Sequence, residues 1–250
     1  MTALAVPSGV WRRECLAEIR RSWRLPQFLV PTVLTPAAFY ALFTLALNKS
    51  PSPAAAAMTL AGYGVFAATG PALFGFGAGV AMEREQGLIE LKRVSPMPAG
   101  AYVAAKLAAA LVTTGMAVAL IDMLSLVGGV RMSAANWAAL VMLHLFSTLP
   151  FALIGFGLGM RLGGKAAVAA ANALFLGSAV LGGLWIPPEM LPGWMRIVSQ
   201  LMPSFHLAQL ARAVVGAPTI GGAVAHAAIV AGMTLGAGVW AWTGWRRSAA

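Results

Sequence analysis

Glu83, Arg84 and Glu85, followed by Glu90, Lys92 and Arg93, crowd six charges into one short stretch of a 250-residue chain that holds only seven acidic residues. Charge at this density, beside Leu88, Leu91 and Val94, fits a solvated charged loop as well as a docking element in which ion pairs set register and apolar contacts give affinity. Few other residues could do chemistry. Asp122 is the one acid inside an apolar span, where a carboxylate is a functional suspect or a structural anchor near Arg131. His144 lies inside another apolar span and could hydrogen-bond across helices, while His206 and His226 fall in or near a polar-broken stretch. Three separated histidines and the single Cys15 make no metal set and no disulfide. The run Gly159-Met-Arg-Leu-Gly-Gly-Lys165-Ala166 nearly spells a phosphate-binding loop. Ala166 stands where a magnesium-holding hydroxyl is needed, however, and an apolar helix precedes the run instead of a strand. No serine nucleophile elbow and no His-Glu-x-x-His helix occurs. The chain itself is therefore expected to be neither a catalyst nor an ATP binder.

The elements that must position these groups are membrane spans. Sixty per cent hydrophobic residues, 10% charged residues and a mean hydropathy of +0.81 exclude an ordinary soluble domain. A bilayer core takes about 20 apolar helical residues, and six such stretches occur: 26–47, 58–82, 102–127, 137–160, 166–186 and 222–245. The fold class expected is an all-α membrane protein forming a single unit over 1–250. The net charge of +10 belongs to segments flanking the spans, so it implies anionic lipid and orientation, not nucleic acid. Arg12, Arg13, Arg20, Arg21, Arg24, Arg84, Lys92, Arg93, Lys106, Arg161, Lys165, Arg246 and Arg247 fall on one side of that topology, against Lys49, Arg131, Arg196 and Arg212 on the other. By the excess of cations inside, both termini are expected in the cytoplasm.

Around the spans, Trp11, Cys15, Ile19 and Trp23 recur every four residues while Arg12 and Arg20 point elsewhere, which predicts an amphipathic helix over 8–25 lying on the inner membrane surface. Prolines at 26, 31, 36, 71 and 150 predict kinks. Small residues four apart at Gly75 and Gly79, Gly155 and Gly159, and Gly232 and Gly236 permit close helix approach. The second span should run on through Glu83, bend at Gly87 and give a short helix ending before Pro96, because a residue preceding proline favours extended backbone. The outer segment 187–221 is too apolar for a solvated loop and too broken by Pro187, Pro192 and Pro203 to span. Two short helices are expected there, dipping into the outer leaflet beneath protein.

The cassette Glu83-Arg84-Glu85, Gly87, Glu90-Leu91, Ser95-Pro96, with Lys106 beyond it, resembles the cytoplasmic signature of ABC-2 type transporter permeases; Leu88 and Ile89 depart from the usual Thr and Leu. Pro187, Leu191-Pro192, Trp194, Ile197, Pro203, His206 and Arg212 are similar to that family's stretch before the last span. The resemblance implies a permease subunit of an ATP-binding cassette exporter in the inner (plasma) membrane, dimerised with a second permease copy and carrying two ATP-binding subunits that would hold ATP and magnesium. It further implies that 83–96 is the coupling helix, with Glu83, Arg84, Glu85, Gly87, Leu88, Glu90 and Leu91 at the ATPase interface. The helix bearing Trp11, Arg12, Arg20 and Trp23 would be the connecting helix, and the outer segment a re-entrant pair. Scarce intramembrane charge favours an amphipathic or lipophilic cargo, drug-like or lipid-linked. The rival readings are an ATPase-independent secondary transporter, for which midplane coupling carboxylates are missing, an intramembrane enzyme, and a non-transporting membrane scaffold.

Overall fold

The computed structural model describes residues 9–47, 52–95 and 97–248. Lys49, Pro51, Pro96 and the first residue of the expected 8–25 helix lie outside the described residues. Within them the chain forms α1 (Val10–Trp23), α2 (Pro26–Ala46), α3 (Pro53–Glu85), α4 (Leu88–Val94), α5 (Ala99–Val127), α6 (Ala134–Gly159), α7 (Gly164–Val180), α8 (Gly193–Ser199), α9 (Pro203–Val214) and α10 (Ala223–Arg247), with a single 3-10 turn at Pro188–Met190. No strand occurs among the described residues.

α3 is the axis of the bundle. It touches α2, α5, α6, α7 and α9, and 78% of its apolar stretch is buried, against 17% for α10, which leans chiefly on α6 and α9. Small residues make this central position possible. A side chain at Gly62 would strike the Leu184 carbonyl, and one at Gly64 would overlap the His144 ring. Tyr40, Tyr63, Phe66 and Leu73 fill the remaining space, with Phe175 stacked on Phe66 and Trp185 meeting it edge-on.

The prolines act where expected, by different means. In α2, Thr32 donates to the Phe28 carbonyl beside Pro31, and the helix widens to i→i+5 bonding over Ala41–Ala46. In α3 the same widening follows Pro71, over Leu73–Ala78. In α6 the helix breaks at Ser147, three residues before Pro150. Only one of the three small-residue pairs packs as anticipated. Gly155 and Gly159 press on the widened turn of α3, a Cβ at Gly159 falling 2.7 Å from the Gly77 carbonyl, whereas Gly75, Gly232 and Gly236 meet nothing within 4 Å.

Among the described residues, five helices are long and apolar enough to cross a membrane, against six spans expected. α7, expected over 166–186, has only 17 residues, about 26 Å of rise. The chain turns early because Gly183 takes φ +72° and the Leu184 and Trp185 amides fold back onto the Ala179 carbonyl. The outer segment does contain two short helices beginning after Pro192 and at Pro203, but they differ in depth. α9 is packed among α3, α6, α7 and α10, whereas α8 leaves Trp194 and Ile197 exposed.

Candidate functional site

At the end of α3 the charged cassette is built into the molecule in three layers. Glu83, in the last turn of α3, is buried. Its Oε2 accepts from the Tyr102 hydroxyl at 2.7 Å and its Oε1 from Lys106 Nζ at 2.6 Å, both on α5, and the Arg21 guanidinium of α1 donates to the same Oε1. Lys106 also reaches Glu18 of α1 at 2.5 Å. Two carboxylates and two cations thus neutralise one another and clamp α1, α3 and α5 at a single point. Burial opposes the charge on Arg21, yet the Glu83 carboxylate outweighs it and leaves the guanidinium pKa above its ordinary value. Removing one member of such a buried set strands the others and typically costs about 3–5 kcal/mol.

Arg84 and Glu85 form the second layer, turned toward the connection between α6 and α7. Arg84 donates to the Met160 and Leu162 carbonyls at the C-terminal end of α6, where carbonyls lack intrahelical partners. Glu85 Oε1 accepts from the Gly164 amide at 2.8 Å, placing a carboxylate on the N-terminus of α7. Side chains at Gly163 or Gly164 would sit 2.8 and 2.7 Å from that carboxylate. The glycines that gave 159–166 the look of a phosphate loop therefore admit an anion from the chain's own α3.

The third layer is α4 itself. Gly87, at φ +71°, provides the left-handed link that breaks α3 from α4. Ile89 is buried beneath α4, Lys92 pairs with Glu14 of α1 at 3.0 Å and lies over the Tyr102 ring, and Arg93 donates to the Trp245 and Ser248 carbonyls and stacks on Trp245 of α10. These ties leave one face free: Glu90, Leu91 at 64% and Val94 at 85% exposure, with Leu88 half-buried at its edge. Of the residues expected to frame a partner surface, Glu83 is buried, Arg84 is half-buried against the α6–α7 connection, Glu85 caps α7 while staying exposed, and Glu90 and Leu91 face out.

α1 lies along α5 with no residue fully buried. Trp11 covers Gly100, Trp23 is 56% exposed, and Arg12 and Arg20 are exposed. Docking uses its acidic face, Glu14 and Glu18, as much as its tryptophans. Above the Glu83 clamp a cleft of about 450 Å³ opens between α2, α3 and α5, with Phe28, Phe74 and Met82 on its walls and Glu18, Arg21 and Lys106 at its polar end.

The remaining sequence candidates are scattered. Asp122 has one carboxylate oxygen without a partner, and Arg131 bonds the Leu126 and Val130 carbonyls instead of reaching it. His144 fills the notch at Gly64 without a cross-helix side-chain bond. His206 Nδ1 meets His226 Nδ1 at 2.8 Å while its Nε2 meets the Gln200 carbonyl at 2.9 Å, tying α9 to α10. Arg212, buried, donates to Glu189 at 2.8 Å beside Pro187; Pro192 and Pro203 mark the starts of α8 and α9. Sequence reasoning did not find Glu14, Glu18, Tyr102 or Ile89. A signal existed for the first two: Glu14, Glu18, Glu83, Glu85 and Glu90 are five of the seven acids, and α1 carries two of them one turn apart.

A multi-pass helical bundle with an ion-paired surface helix and a small knob at one end is the plan of a membrane permease. The chain belongs to the ABC-2 type transporter family, whose model matches residues 11–215. It is also 28% identical over 216 residues to a Bacillus subtilis (strain 168) protein named as a transport permease, YvfS, covering 84% of this chain and 88% of that one.

Proposed function

We propose that the chain is the membrane subunit of an ATP-binding cassette exporter of the inner membrane, working as a dimer on two ATPase subunits with both termini cytoplasmic. The observation that carries the reading is α4: anchored on one side by Ile89, Lys92 and Arg93, it presents Leu91, Val94 and Glu90 outward on a rigid base. An ATPase groove closing on that face would push α4, and the left-handed Gly87 joint together with the Glu83 clamp would pass the displacement to α3, α5 and α1. The widened turn of α3 at Leu73–Ala78 offers a place for the span to repack, which is what a two-state element needs. The cleft between α2, α3 and α5, apolar along its walls and charged at one end, suits an amphipathic cargo. The outer helices α8 and α9 would act as the re-entrant cap.

The test separates docking from folding. Leu91→Asp and Val94→Asp, alone and together, should release the cognate ATPase on co-purification and lower its hydrolysis at least tenfold in the complex. Thermal unfolding of the permease should stay within about 0.5 kcal/mol of wild type, as for exposed sites. Full ATPase retention and activity in the double variant would overturn the assignment.

A further inference from the structure

At the opposite end of the bundle from the Glu83 clamp lies a pocket of about 180 Å³ between the first turns of α3, the 183–187 turn and α9, lined by Met58, Gly62, Tyr63, Trp185, Pro187 and Arg212. Three of these side chains have buried polar atoms with no hydrogen-bond partner: the Tyr63 hydroxyl, Trp185 Nε1, and both Nε and Nη1 of Arg212. Arg212 is 5% exposed and Tyr63 1%. Indole and guanidinium nitrogens only donate. Leaving such donors buried and unmatched is costly, most of all for a charged one. Arg212 spends only Nη2, on Glu189 at 2.8 Å and weakly on Met58 Sδ at 3.6 Å. Glu189 itself is 45% exposed, so its carboxylate is shared with solvent.

A set of buried donors around one cationic group calls for a ligand that is rich in acceptors and negatively charged. One water accepts at most two hydrogen bonds, whereas a phosphoryl group offers three acceptor oxygens and forms charge-assisted bonds to arginine. The pocket is too small for a whole lipid and large enough for a headgroup phosphate with a few attached atoms. The rest of its rim is apolar, with Met58, Leu184, Pro187 and Ala208 lining it. We propose that Tyr63, Trp185 and Arg212 form a binding site for an anionic phosphoryl group, delivered either on an amphiphile whose chains lie along that rim or as the free ion.

The experiment uses the purified chain in a phosphate-free maltoside detergent, with thermal unfolding and titration as readouts and three probes: dioctanoyl phosphatidylglycerol, dioctanoylglycerol and inorganic phosphate. Wild type should be stabilised by phosphatidylglycerol and not by dioctanoylglycerol. An equal response to inorganic phosphate would identify the free ion as sufficient, and its absence would assign the site to an amphiphile. Tyr63→Phe, which keeps its ring, and Trp185→Phe, which keeps an aromatic group of smaller size, remove one donor each and should weaken binding about fivefold apiece, and Arg212→Gln should abolish it. Should Arg212→Gln fail to fold, the two ring variants decide. No response to either phosphoryl probe, an equal response to dioctanoylglycerol, or wild-type affinity in both ring variants would overturn the site.

Discussion

Glu83 shows how one residue's meaning depends on what surrounds it. In the amino-acid sequence it is the first acid of an apparently solvated cassette; in the fold it is held by Tyr102, Lys106 and Arg21 at the junction of three helices. Glu83→Gln keeps the shape and removes the charge, so buried Lys106 and half-exposed Arg21 are left to share Glu18 as their one carboxylate at the clamp. Thermal unfolding in detergent should show a loss of about 3 kcal/mol, while Glu83→Leu combined with Lys106→Met should recover much of it, since a neutral pair leaves no stranded charge. Equal losses in the single and double variants would show that the pairing contributes nothing. Glu85 makes a weaker claim. Glu85→Ala strips the α7 N-terminus of its acceptor and should cost about 1 kcal/mol, read from the same melts and from faster amide exchange at Gly164.

Elements carry the next set of consequences. Gly87 alone in its stretch adopts a left-handed backbone, and Gly87→Ala should strain the α3–α4 joint by about 1 kcal/mol. Because α4 is short, the strain should appear as raised hydrogen exchange in Leu88–Val94 before it appears in the melting of the bundle. Glycine also divides the helix contacts into used and unused. Gly159→Ala would push a methyl group onto the Gly77 and Phe76 carbonyls at 2.7 Å and should cost about 1–3 kcal/mol. Gly232→Ala meets nothing within 4 Å and should leave stability unchanged or slightly raised through helix propensity. Similar melts for the two variants would contradict the packing of α6 on α3.

For the whole molecule, the clamp, the α6–α7 turn and α4 share one end, while α8, α9 and the His206–His226 tie share the other. The proposed orientation puts the first end in the cytoplasm. A single cysteine at 90 and one at 194, each in a Cys15→Ser background, should then react with a membrane-impermeant thiol reagent from opposite sides of oriented vesicles. Labelling of both from the same side would break the topology.

What could be read from the residues alone was whatever depends on local pattern. Apolar runs fixed the spans to within a few residues for α2, α5 and α10, Gly87 and Ser95 bounded the short helix, and the prolines at 192 and 203 opened the outer pair, since hydropathy, φ preference and proline geometry act over a few neighbours. α7 escaped because its end is set by a turn at Gly183 that folds Leu184 onto Gly62, a contact more than a hundred residues away in sequence. The engagement of Glu83, Arg84 and Glu85 with their own bundle was likewise invisible. A charged side chain is equally compatible with solvent and with a distant counterion, and only the packing of α1, α5 and the α6–α7 turn around the end of α3 decides which it meets. The amino-acid sequence by itself determined a helical membrane protein and the place of its charged joint; the tertiary structure decided which of those charges lock the joint and which small apolar face stays exposed.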